Sequence, residues 1–133
     1  MKGKPVILVV GDEEKALELL QEILKNEHYT VLTADNGKEA LEQAKRGRLN
    51  LVILDLKSSG MNEIEILRQL KRIDENIEVI VITGYGTMKA VRAAMKLGAY
   101  DYITKPFDVN YVRDIVKAAL TPVSENLVQL ELK

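Results

Sequence analysis

Hydrophobic and polar positions fall into two alternating textures along this chain. Short runs rich in β-branched residues occur at Val6–Val10, Thr30–Ala34, Leu51–Leu54, Val79–Thr83 and, less purely, Tyr100–Thr104. Each has the length of a strand, and near-continuous apolar character marks strands covered on both faces. Between them, apolar residues recur at helical spacing, as in Leu17/Leu20/Leu24, Ile66/Leu70/Ile73 and Val112/Val116/Ala119, which predicts amphipathic helices. Gly47 and Gly98 stand where helices should end, and Asp108 where one should begin. Five such units predict an α/β fold: a three-layer (βα)5 sandwich built on a doubly wound, parallel five-stranded sheet. Periodicity does not order the strands; the flavodoxin-like order 2-1-3-4-5, a common doubly wound arrangement, is the expectation adopted. Residues 1–121 are expected to form one domain. The stretch 122–133, "PVSENLVQLELK", stands apart, because Pro122 should stop the last helix.

Composition narrows the class without changing the fold. At 133 residues, 47% hydrophobic and 29% charged, the chain can bury a real core and is not expected to be disordered. A net charge of −1 gives nucleic acid and anionic lipid no bulk electrostatic pull. The absence of cysteine removes disulfides, thiolate catalysis and cysteine metal sites together. No apolar run approaches the roughly 20 residues of a membrane span, and no secretory leader is evident. A cytoplasmic protein that binds neither membrane nor nucleic acid is expected.

In a parallel open sheet, ligands bind beyond the carboxyl ends of the strands. After the first strand come Gly11, Asp12 and Glu13; the third ends in Asp55; the fourth ends in Thr83, then Gly84, Tyr85 and Gly86; after the fifth come Lys105 and Pro106. Carboxylates gathered on one rim favour a divalent cation, and Mg²⁺ prefers oxygen ligands and tends to bind together with phosphate. An aspartate beside that ion can attack a phosphoryl group to give an acyl phosphate, while the metal and a lysine balance charge on the transferring oxygens. Neither GxxxxGKS/T nor GxGxxG occurs, so the usual nucleotide cradle is missing and the phosphoryl donor must come from elsewhere.

These residues resemble the receiver domain of two-component response regulators. The resemblance covers about residues 5–120 and is carried by "ILVVGDEEKALELL", "TADNGKEALEQA", "LVILDLKSSGM" and "VITGYGTMKAVRAAMKLGAYDYITKPF". The last of these is similar to receivers of enhancer-binding transcription activators. The resemblance implies that Asp55 is the phosphoacceptor, that Asp12, Asp55 and the backbone carbonyl of Lys57 hold Mg²⁺, and that Lys105 contacts the phosphoryl group. It implies that Thr83 and the aromatic Tyr102 form the switch, and that Lys105-Pro106 is cis. The output face would be the fourth helix, fifth strand and fifth helix, roughly residues 88–120, with a weak homodimer through it that strengthens on activation. The partner would be a sensor histidine kinase or a phosphotransfer protein. Residues 122–133 would be a tail or the start of a linker to an effector domain. Such a chain regulates transcription as a signalling switch. It is not an enzyme beyond catalysing its own phosphorylation and dephosphorylation.

Two departures qualify the resemblance. Receivers usually carry two acids after the first strand, and here the first is Gly11, so Mg²⁺ binding should be weakened rather than lost. Glu13 could partly compensate, although an acid there also suits the start of the first helix. The loop after Asp55 reads Ser58-Ser59-Gly60-Met61-Asn62-Glu63 where receivers often have Met-Pro-Gly-Met-Asp-Gly, which removes a proline restraint. Gly11, Ser58 and Ser59 therefore support an alternative: a degenerate receiver acting as an interaction module without phosphorylation. Lys57 and Tyr85 occupy positions that tune water access in this family, and a bulky Tyr85 suggests slow hydrolysis.

Plainer readings exist for each residue. Asp12 could cap a helix, Asp55 could be a turn residue, Thr83 suits a strand end, Lys105 could be solvated, and Tyr102 could be packing. Met88 and Met95 read as core or interface filler, His28 as an ordinary loop residue, and Lys45/Arg46/Arg48 as a solvated helix end. A hydrolase of the haloacid dehalogenase kind wants Asp-x-Asp, whereas Lys57 holds the second position. An FMN binder lacks its hydroxyl- and glycine-rich first loop.

Overall fold

The computed structural model describes residues 3–56, 61–84 and 88–121. Strands and helices alternate: β1 (Val6–Val10), α1 (Glu14–Lys25), β2 (Thr30–Ala34), α2 (Gly37–Lys45), β3 (Leu51–Leu56), α3 (Met61–Ile73), β4 (Glu78–Thr83), α4 (Met88–Lys96), β5 (Asp101–Thr104) and α5 (Val109–Leu120). The five strands form one sheet in the order β2-β1-β3-β4-β5, and every pairing is parallel. The expected order 2-1-3-4-5 is the observed one.

Strand alternation divides the core in two. Leu8, Val10, Val52, Leu54, Val79 and Val81 face α2, α3 and α4, where they meet Ala40, Ala44, Ile64, Leu67, Leu70, Ala90 and Ala94. Ile7, Val9, Ile53, Ile80, Ile82 and Ile103 face α1 and α5, where they meet Leu20, Ile23, Leu24, Val112, Ile115 and Val116. Helices on both faces are what a parallel sheet requires, because neither face is left for water.

Three details add to or differ from the sequence expectations. β3 runs two residues past its apolar core, so Asp55 lies within the strand rather than at its end. The ladder to β4 pairs Asp55 with Ile82 and Leu56 with Thr83, and this register carries an aspartate into the strand. The buried stripe of α3 runs through Ile64, Leu67 and Leu70, while Ile66 and Ile73 are only half-buried at its flank. Met88 and Met95 are exposed, which leaves an interface as their reading and removes the core one.

The helix ends follow the sequence signals. Asp108 is the N-cap of α5 and its side chain accepts hydrogen bonds from the backbone N–H groups of Asn110 and Tyr111. Asn36 caps α2 in the same way through Glu39 N–H. Gly47 and Gly98 adopt φ of 78° and 99° just past α2 and α4, the left-handed conformation that glycine takes without a Cβ penalty. His28 lies exposed in the α1–β2 turn, and Lys45, Arg46 and Arg48 are exposed around the end of α2, both as expected.

Candidate functional site

The register of the sheet places the chemistry. Val10 pairs with Leu54, so the residue after β1, Gly11, lies beside Asp55 of β3. Thr83 pairs with Thr104, and the backbone N–H of Lys105 continues that ladder to the Thr83 carbonyl at 2.9 Å. Lys105 is thus fixed at its backbone before its side chain reaches across the strand ends. The Lys105-Pro106 peptide is cis, as expected.

Lys105 Nζ donates to Asp55 Oδ2 at 2.9 Å and to Glu13 Oε2 at 3.2 Å. Asp55 is 9% exposed, and its other oxygen, Oδ1, is buried and accepts no hydrogen bond from the described residues. A buried carboxylate oxygen without a partner is costly, so its presence points to something the protein binds there. These groups line a cavity of about 690 Å³ with Asp12, Gly84 and Leu56, flanked by Lys15, Ala16 and Leu19 of α1 and by Pro106 and Phe107 after β5.

The charges explain the titration of the site. Burial pushes the Asp55 carboxyl above the usual carboxylate range. The Lys105 hydrogen bond and charge pull it back, while Glu13 and Asp12 push it up again, and the net direction is upward. Burial alone would lower Lys105, but its bonds and attraction to Asp55 and then Glu13 outweigh that and raise it above the ordinary lysine value. Asp55 and Glu13 thus share one ammonium, with the Asp12 charge also felt at Asp55, a setting in which a divalent cation would ease the repulsion between carboxylates.

The donor set fits Mg²⁺ in that respect. Among the described residues, no group of three or more His, Cys, Asp or Glu side chains is placed to hold a metal by itself. Mg²⁺ usually binds through one or two carboxylates and keeps several waters, which Asp55 Oδ1 and Asp12 could supply.

The remaining site candidates are placed as follows. Thr83 is buried, 2% exposed, at the end of β4. Tyr102 lies in the edge strand β5, half-buried against the core that faces α2, α3 and α4. Lys57, Ser58, Ser59 and Tyr85 lie outside the described residues, so the expected metal-binding carbonyl and the altered loop are not placed.

Gly11 has a steric counterpart in the structure. A Cβ at this position would stand 3.2 Å from the Asp55 Cβ and 3.5 Å from Oδ2. Any larger residue would press directly on Asp55, with a shift of a few tenths of an ångström.

The sequence offers Glu13 two parts, partial compensation for Gly11 and a dipole partner at the start of the first helix. It is the N-cap residue of α1 in extended conformation, with no capping bond from its side chain, and the side chain turns to Lys105. Asp12 lies one residue before the cap. The only sequence signal for Glu13 was its place next to Asp12.

Comparison with known proteins identifies the family. A family model described as "Response regulator receiver domain" matches residues 7–117. The chain is 42% identical over 120 residues to Sporulation initiation phosphotransferase F of Bacillus subtilis, covering 90% of this chain and 96% of that protein. It is 35% identical over 131 residues to the transcriptional regulatory protein ZraR of Klebsiella oxytoca, covering 96% of this chain but only 30% of ZraR. Among solved structures, a response regulator from Thermotoga maritima superposes with a TM-score of 0.83 at 25% identity, covering 90% of this chain and 99% of that one.

Proposed function

This chain belongs to the response regulator receiver family, and from that premise we propose that it is a phosphoacceptor switch with Asp55 as the acceptor. The observation that supports this most is the split environment of Asp55: one oxygen is held by Lys105, and the other is buried and accepts no hydrogen bond from the described residues. In the proposed step a carboxylate oxygen of Asp55 attacks phosphorus in a partner's phosphohistidine. The O–P bond forms as the P–N bond breaks, and the imidazole nitrogen leaves with the bonding pair. Lys105 then moves its hydrogen bond from the carboxylate to a phosphoryl oxygen. Thr83, buried at the neighbouring strand end, donates its hydroxyl to another. Tyr102 responds from the adjacent strand, turning the change toward α4, β5 and α5. Mg²⁺, held by Asp12, Asp55 and the Lys57 carbonyl, would supply positive charge against the phosphoryl oxygens when bound.

The donor would be a sensor histidine kinase or a phosphotransfer protein. The name of the Bacillus subtilis relative, a phosphotransferase, supports a relay role. The name of ZraR supports transcriptional control through a further domain, with residues 122–133 as a tail or the start of a linker to it. No described helix is long and apolar enough to cross a membrane.

Gly11 favours a second reading, in which the module works without phosphate. Intact mass after incubation with acetyl phosphate and Mg²⁺, beside Asp55→Asn, separates the two. A single phosphoryl adduct that needs both Asp55 and the metal supports the switch. An unmodified, folded chain that does not respond to Mg²⁺ supports the second reading.

A further inference from the structure

Among the described residues at the strand ends, Glu13 has a geometry that the switch reading leaves without a task. It sits at the N-cap position of α1 yet makes no cap bond. Its carboxylate instead spans to a lysine 92 residues later in the chain, at 3.2 Å. The same Nζ is 2.9 Å from Asp55 Oδ2. One ammonium therefore bridges two carboxylates, one buried and one on the rim of the cavity.

From this bridge we infer that Glu13 is a positioning residue that draws Lys105 partly off Asp55 and replaces the negative charge missing at Gly11, so that the pocket can take a divalent cation. The inference rests on the phosphoacceptor reading of the site. Two effects act in the same direction. A cation at Asp55 competes with Lys105 for the charge of the same carboxylate, and Lys105 shared with Glu13 competes less. Glu13 also puts a negative charge on the lining of the cavity itself, where it attracts a doubly charged ion. Gly11 is central here because its backbone packs against Asp55, where an added Cβ would be 3.2 Å from the Asp55 Cβ. An acid at position 11 would crowd the acceptor. An acid at position 13, one residue before the helix and reaching in through its longer side chain, delivers the charge without touching Asp55.

The experiment is a Mg²⁺ titration of the whole chain followed by backbone amide NMR shifts, with acetyl phosphate phosphorylation rates measured in parallel. Glu13→Gln should weaken Mg²⁺ affinity roughly three- to ten-fold with the fold intact. Glu13→Asp, which keeps the charge on a shorter stem, should recover part of it. Adding Gly11→Asp to Glu13→Gln should recover only part of the Mg²⁺ affinity, because it returns the charge but presses its Cβ on Asp55. Unchanged affinity in Glu13→Gln, beside a wild type that does bind Mg²⁺ through Asp55, would overturn the role of Glu13 and leave the switch reading standing. A wild type that binds no Mg²⁺ and accepts no phosphoryl group would overturn both. Equal loss in Glu13→Gln and Glu13→Asp, with no rescue from Gly11→Asp, would assign Glu13 a packing role only.

Discussion

At the scale of single residues, the site is poised at the expense of stability. Asp55 carries a buried charge that Lys105 only half satisfies, and the folded state holds its carboxyl above the ordinary range, first through burial and then through Glu13 and Asp12. Linkage fixes the sign of the consequence. A raised folded-state value means that this group favours folding most when protonated, below the ordinary carboxylate value, and that the contribution is lost as pH rises through the folded-state value. Asp55→Asn removes the charge but keeps the shape. It should raise stability at neutral pH by about 1 kcal/mol, the scale typical of relieving a strained functional site. Thermal melts followed by circular dichroism would show a higher Tm than wild type at pH 7 and convergence near pH 3, where the wild-type carboxyl is neutral in both states. A variant that melts below wild type at pH 7 would mean that the bond to Lys105 outweighs burial. The residues behind this behaviour were legible in the sequence to different degrees. Asp12, Asp55, Thr83 and Lys105 each follow or end an apolar run, and a parallel sheet brings such positions to one rim. Glu13 was legible only as a partial substitute for the acid absent at Gly11, because a carboxylate at a helix start also has a ready local explanation in the dipole and only the fold shows which way its side chain turns.

At the scale of elements, the ends were more readable than the interiors. Gly47, Gly98 and Asp108 act through local backbone geometry, which a sequence states almost directly, and all three stand where expected. The spacing of Ile66, Leu70 and Ile73 marks α3 as a helix, and all three pack on the core, Leu70 fully buried and Ile66 and Ile73 at the flank of a buried stripe that also holds Ile64 and Leu67. The end of β3 was misread because Asp55 breaks the apolar run, while the ladder to β4 holds two more residues in the strand. The cap of α5 offers a clean test of an element. Asp108 satisfies two otherwise unpaired N–H groups, at 2.7 Å to Asn110 and 3.2 Å to Tyr111. Asp108→Ala should cost about 1 kcal/mol, and Asp108→Asn should recover most of it. Urea denaturation would show the loss as a lower midpoint with an unchanged slope. Because α5 packs Val112, Ile115 and Val116 on the sheet, a loosened first turn would weaken the same face through which the switch is proposed to act.

At the scale of the whole molecule, the question is what covers the face formed by α4, β5 and α5. Met88 and Met95 lie two turns apart on α4 and are 48% and 41% exposed, and Tyr111 on α5 is 48% exposed. Seven residues of separation put both methionines on one stripe of the helix, and exposed methionine and tyrosine are the residue types that interface cores favour. Around them α4 exposes Lys89, Arg92 and Lys96, α5 exposes Asp114 and Lys117, and β5 carries a half-buried Asp101. An isologous dimer through this face would bring the same patch of both copies together, with the methionines and Tyr111 supplying its apolar part. The proposed switch residues Thr83 and Tyr102 stand on the adjacent strands β4 and β5, so the proposed switch would act on the same face. Phosphorylation should therefore change self-association, and a weak homodimer should tighten on activation. Sedimentation velocity across a concentration series, with and without acetyl phosphate and Mg²⁺, reads this directly. Met95→Glu places a charge at the centre of the stripe and should weaken the dimer at least roughly ten-fold, or about 1.4 kcal/mol, without changing the phosphoryl adduct at Asp55. Monomer at every concentration in both states would separate the output of this receiver from self-association and leave the exposed methionines to a partner of a different kind.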